Sequence, residues 1–239
     1  MVQVLNGKKK SITRHITVRN IRRFADTPVR RHADTPVRRH AVSPPRRFVI
    51  VIDPGHGGKE HGTHSPKGIP EKHFNLQVAK KLYKTLEKRR WGGGAKGRIY
   101  LTRTKDKFIS LDDRIRFAKK KKCNLFISIH HNALPDNEDP LKHKGVGVYY
   151  THDFVKPLAK SLLESISKES GLKKYGIFKR NFAVTRPDFY AGVLIECGFL
   201  THPIEAEYLT KRKTQEKIVK GIVDPIGVEP TTYCMPCKR

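Results

Sequence analysis

Four residues of this 239-residue chain are of the types that hold a metal ion and move protons: His56, Glu71, His130 and Glu196. Two imidazoles and a carboxylate are the ligand set of a catalytic zinc site, where three protein ligands leave a fourth position for water. The second acid, Glu196, would then be free to act as general base. Zinc lowers the pKa of bound water to about 7 and polarises the carbonyl under attack. A carboxylate that takes the water proton can return it to a leaving nitrogen, so the chemistry suits amide hydrolysis. Each residue also has an ordinary role open to it: His56 solvated in a turn, Glu71 in the first turn of a helix, His130 hydrogen-bonded in a core, Glu196 on the surface. The metal reading therefore depends on whether the fold gathers all four.

The elements that must position them can be read in order. Residues 48–52 are apolar, mostly β-branched and without helical period, so they form a strand buried on both faces, broken by Asp53-Pro54-Gly55. His56 is left between glycines at the carboxyl end of that strand, the edge where open α/β sheets bind ligands. Pro70 and Glu71 open a helix whose apolar face carries Phe74, Val78, Leu82 and Leu86 to about Arg89, ended by the Gly92–Gly94 run. Residues 98–103 form a strand, and Ser110 caps a helix that buries Leu111, Ile115 and Ala118. Strands follow at 125–130 and 146–150, then a helix with Leu158, Leu162 and Ile166 inward, stopped by Gly171. Strands at 182–185 and 193–195 come next, with Glu196 directly after the second. Pro203 opens the last helix, with a second piece through Ile218 and Ile222. This alternation predicts an α/β fold: a single domain with a mainly parallel twisted sheet flanked by helices on both faces.

That domain is expected over residues 48–223, after a disordered basic arm at 1–47 and before an unstructured tail at 224–239. The arm repeats with period eight, from Phe24, His32 and His40, each copy holding a proline and an Arg pair but little apolar area. Fifty Lys and Arg against 22 Asp and Glu give a formal net charge of +28, which favours contact with anionic polymers. The arm suits that contact as a tether, but its composition better suits a solvated low-complexity extension or sequence that is not in the mature protein. No run of about 18 apolar residues exists, so no membrane span is expected. Residues 1–20 show no apolar signal-peptide core. Cys123 and Cys197 read as small buried fillers, and Cys234-x-x-Cys237 lacks the second pair a zinc ribbon needs.

Taken together, several stretches resemble the zinc-dependent N-acetylmuramoyl-L-alanine amidases of bacterial cell walls. They are Asp53-Pro-Gly-His-Gly-Gly58, Glu71 with Asn75-Leu76, Leu101-Thr-Arg-Thr104 with Asp106, Phe126-Ile-Ser-Ile-His-His-Asn132, and Val193-Leu-Ile-Glu-Cys-Gly-Phe199. The resemblance covers about residues 48–222. It implies that His56, Glu71 and His130 bind Zn²⁺ and that Glu196 is the catalytic acid. The implied reaction is hydrolysis of the amide joining N-acetylmuramic acid to L-alanine in peptidoglycan, in wall turnover and daughter-cell separation. The implied place is the cell envelope, periplasmic or extracellular, although no signal peptide is visible. Two other functions fit the residues: a zinc peptidase acting on another acyl-amino bond, and an inactive polyanion-binding protein that works through the arm. His131 stands where the family usually has a small residue, and neighbours on a strand face opposite ways, so only one of His130 and His131 can be the ligand. The family pattern selects His130. Glu60 replaces a usual aspartate, and His202 stands where an asparagine often follows, at a helix cap. His61, His64 and His73 read as solvated or substrate-contacting. Residues 134–144 are polar with two prolines, so no helix is expected there to plug the site.

Overall fold

In a computed structural model, residues 48–90 and 97–226 are described. The arm at 1–47, the Gly92–Gly94 helix stop and the tail past Ile226 with its Cys-x-x-Cys lie outside those residues. The chain runs β1 (Val49–Pro54), α1 (Glu71–Lys88), β2 (Arg98–Leu101), α2 (Leu111–Lys120), β3 (Leu125–Asn132), β4 (Val146–Tyr150), α3 (Lys156–Ser170), β5 (Lys174–Lys179), β6 (Ala191–Phe199), α4 (Pro203–Thr210) and α5 (Arg212–Ile226). One six-stranded sheet has the order β2-β1-β3-β6-β4-β5. All neighbours are parallel except β4 and β6.

Alternation along the strands assigns the two faces. Ile50, Ile52, Ile127 and Ile129 pack with Val78, Leu82, Leu162 and Ile218, so α1, α3 and α5 cover one face. Val51, Phe126 and Leu194 point the other way, against Ala118 of α2. That second core centres on β1, β3 and β6, with Tyr149 of β4 packed at its margin. Cys123 and Cys197 are buried free thiols, as their small apolar character suggests.

Three expectations fail. Leu111 is 57% exposed and Ile115 half-buried, while Arg114 is 2% exposed. The buried arginine has an acid partner beneath it, so α2 is rolled by an ion pair rather than by its leucine. Residues 182–185 are a turn, not a strand, closed by the Thr185 and Arg186 amides donating to the Phe182 carbonyl. The strand that does form is β5, whose alternation is hidden by Gly176 and by lysines at both ends. Glu196 lies inside β6, which continues to Phe199.

Candidate metal centre

His56 sits in the turn after β1 with φ 57°, a left-handed conformation unusual for a side chain-bearing residue. The turn is held by its own carbonyls. Arg103 donates to the carbonyls of Pro54 (3.0 Å) and Gly55 (2.8 Å), and Arg114 to those of Pro54 (2.9 Å) and His56 (2.8 Å). Lys72 Nζ reaches the Gly58 carbonyl at 2.7 Å. Beneath the turn, Asp53 Oδ1 accepts from Arg114 Nη1 and Thr102 Oγ1, both at 2.6 Å, and Asp53 Oδ2 from Ser128 Oγ at 2.9 Å. Close packing fixes the glycine: a Cβ on Gly55 would lie 2.2 Å from the His130 ring.

Glu71 is the first residue of α1, tied to the preceding loop by its own amide on the Thr63 carbonyl at 2.8 Å. Its carboxylate is almost fully enclosed. Oε1 faces His130 Nδ1 at 3.0 Å and accepts from Asn75 Nδ2 (2.9 Å) and the His131 amide (3.1 Å). Oε2 faces His56 Nε2 at 3.2 Å and accepts from the Thr63 amide at 3.1 Å. One donor atom from each of His56, Glu71 and His130 falls within 4.8 Å of the others, and they form the one such group among the described residues. Burial raises the Glu71 pKa, but hydrogen bonds from His130 and His56 outweigh it and hold the group far below the usual carboxylate range. It is thus a permanent anion between two imidazoles, a donor set that suits zinc.

His130 and Glu196 are directly paired across β3 and β6, one step before the register shifts. Both line a cavity of about 640 Å³ together with His56, Glu60, His61, Leu111 and Phe182. Burial, aided by Glu71 and opposed by His130, pushes the Glu196 carboxyl up to about 7. Its Oε2 is buried without a hydrogen-bond partner among the described residues. An acid of that pKa, with one oxygen unspent, is suited to exchanging a proton near neutrality.

All four expected residues therefore converge. His131 does not join them: it points through the sheet to Asn75 Oδ1, 2.8 Å from its Nδ1, and sits beside Phe74. Asn75 already donates from its amide nitrogen to Glu71 and to the Gly55 carbonyl, so its oxygen accepts and His131 Nδ1 is the protonated nitrogen. Burial lowers the His131 pKa to about 4, so the ring stays neutral. His202 Nδ1 accepts from the Glu205 amide and caps α4. Glu60 and His61 reach the cavity wall, and the residues between β3 and β4 do not. Sequence reasoning missed the support beneath the turn. Arg114 follows Leu111 by three and precedes Ala118 by four, so helical spacing already put it on the inward face.

A six-stranded α/β sheet carries a His-Glu-His group at its carboxyl edge with an acid opposite, a candidate metal centre. The chain belongs to the N-acetylmuramoyl-L-alanine amidase family, whose model matches residues 50–227. It is 36% identical over 177 residues to a probable cell wall amidase LytH of Staphylococcus epidermidis, covering 73% of this chain and 56% of that protein. The chain thus spans about half the length of the curated relatives it matches. Among solved structures it is similar to an N-acetylmuramoyl-L-alanine amidase of Clostridium difficile 630 (TM-score 0.69, 35% identity, 75% of this chain and 95% of that one). The catalytic domain of CwlV, from Bacillus (Paenibacillus) polymyxa var. colistinus, gives a TM-score of 0.68 at 32% identity, over 75% of this chain and 96% of that one.

Proposed function

We propose that this chain hydrolyses the amide between N-acetylmuramic acid and L-alanine in peptidoglycan, with His56, Glu71 and His130 holding Zn²⁺ and Glu196 as general base. The observation that carries the reading is one cavity bordered by two imidazoles, with Glu71 between them, and by an acid of pKa about 7 that has one oxygen without a hydrogen bond among the described residues. When bound, Zn²⁺ supplies Lewis-acid polarisation of the scissile carbonyl and a lowered pKa for the attacking water. Glu196 removes a proton from that water as its oxygen bonds to the lactyl carbonyl carbon. The same carboxyl then delivers the proton to the alanine nitrogen as the C–N bond breaks, releasing a lactyl carboxylic acid and an amine. The acid's remaining proton passes to that amine to leave a carboxylate and an ammonium group. Thr63, Asn75 and the His131 amide hold Glu71 so that its oxygens stay turned toward the two imidazoles.

The substrate puts the site of action in the cell envelope, with wall remodelling at daughter-cell separation as its use and the arm at 1–47 as a contact for anionic wall polymer. No helix among the described residues is long and apolar enough to cross a membrane. The segment between β3 and β4 forms no helix, so this reading includes no built-in plug over the cavity. Digesting sacculi and detecting released stem peptide by mass spectrometry tests the reading. Release should stop after chelation, return with Zn²⁺, and be absent from Glu196→Gln, which should keep its zinc. A Glu196→Gln variant that still releases peptide would remove the proposed base, and release that ignores chelation would remove the metal.

A further inference from the structure

The α2 face of the sheet is covered only as far as β6; β4 and β5 carry no helix on that side among the described residues, since α3 packs against their other face. A sheet face left to solvent is ordinarily polar. This one carries four aromatic rings in sequence. Phe182 meets Tyr149 edge-on with centroids 5.5 Å apart, Tyr149 stacks on Phe178 at 5.0 Å, and Phe178 meets Tyr175 at 5.1 Å. All four keep solvent exposure, and Phe182 is 40% exposed.

The row starts inside the catalytic cavity, whose wall includes Phe182 along with Glu196. Gly147 joins the two. It pairs with Glu196 across β4 and β6, and a Cβ there would stand 3.3 Å from the Tyr149 ring, 3.4 Å from Tyr175 and 3.6 Å from the Glu196 Cβ. Having no side chain, Gly147 leaves the floor between the acid and the rings low and continuous.

We infer that this row, Phe182-Tyr149-Phe178-Tyr175, is a platform for the sugar rings of the glycan strand on which the scissile amide is carried. The inference rests on the peptidoglycan reading above. Pyranose rings present a face of weakly positive C–H groups, which suits the negative face of an aromatic ring. The stem peptide, rich in carboxylates, has less to gain from ring faces, and Lys142, Lys174 and Lys179 around the shelf are engaged by Glu138, Glu164 and Asp153, which leaves Arg180 beside Tyr149 as a cation near the row. The rings also shield the strand backbone, since Phe178 lies over Gly176. A purely structural role would cost stability on substitution and leave ligand choice alone.

Isothermal titration of the full chain with a peptide-free muramic acid-containing tetrasaccharide, and separately with free stem peptide, tests the assignment. Phe182→Ala and Phe178→Ala should each weaken tetrasaccharide binding about tenfold, and Phe178→Ala, which lies outside the cavity wall, should leave stem-peptide binding as in wild type. Phe182→Tyr, which keeps a flat ring, should restore it, and Phe182→Leu, which keeps apolar bulk alone, should not. Equal tetrasaccharide binding by Leu, Ala and wild type at position 182 would overturn the platform, as would a loss confined to the stem peptide. If wild type failed to release stem peptide from sacculi yet bound tetrasaccharide through these rings, the reaction would fall and the platform would stand.

Discussion

Asp53→Asn tests the support of the turn that carries His56. Asp53 and Arg114 are 1% and 2% exposed and meet at 2.6 Å, and asparagine keeps the shape of the acid. Its oxygen can still accept from Thr102 and its amide can donate to Ser128, so geometry is nearly conserved while the charge is removed. The Arg114 guanidinium then keeps a neutral amide oxygen and the carbonyls of Pro54, His56 and Ile109 around it but has no counter-charge. Leaving one member of a buried ion pair alone costs about 3–5 kcal/mol. The three carbonyls offset part of that, so we expect a loss near the lower end, a substantial share of a domain stability of about 5–15 kcal/mol. Urea unfolding of chelated protein measures it without contribution from bound metal. A separate zinc titration should show affinity down about 10–100-fold, since Arg114 also fixes the His56 carbonyl. In a cycle with Arg114→Met, the double variant should lose less than the two single losses added. A shift under about 1 kcal/mol with zinc affinity unchanged would refute the argument that this ion pair holds the turn.

The other expectations concern the ligands and their neighbours. Gly55→Ala should abolish stoichiometric zinc binding by displacing the His130 ring, while circular dichroism stays near wild type. His56→Ala should lose both zinc and hydrolysis, checked by metal analysis and sacculus clearing. His131→Ala should still bind one equivalent of zinc, but about 10–100-fold more weakly, because Asn75 loses the partner that orients it toward Glu71; full loss of stoichiometry would make His131 a ligand.

Strand and helix order was legible because long apolar runs and helical spacing carry it, and the four candidate residues stood out because each follows an apolar run or begins a helix, although His130 and Glu196 lie inside strands that run on past them. What escaped notice depends on tertiary partners. Leu111 looks like a core residue by pattern, yet it borders the cavity because Arg114 has Asp53 to meet inside. The sequence distance of 61 between those partners hides the pair from any local pattern. The failed strand at 182–185 has a similar origin: Phe182 is apolar in sequence but joins other rings rather than a ladder. His131 could be separated from His130 by strand alternation, but its bond to Asn75 could not, since that requires α1 to lie across β3.

The same contacts explain why so open a turn can hold a ligand in place. The carbonyls of Pro54, Gly55, His56 and Gly58 each accept from a cationic side chain, with Asn75 adding a second donor on Gly55 at 3.3 Å. Hydrogen bonds to charged groups contribute about 1.5–3 kcal/mol each, enough together to outweigh the strain of one non-glycine residue at positive φ. Asp53 and Asp106 offset part of the positive charge, the second through Lys72 Nζ at 2.8 Å. His56 is therefore placed by the folded protein itself, with Glu71 already between the two imidazoles. A metal that binds here meets a formed site, and its binding energy is not consumed in folding the turn.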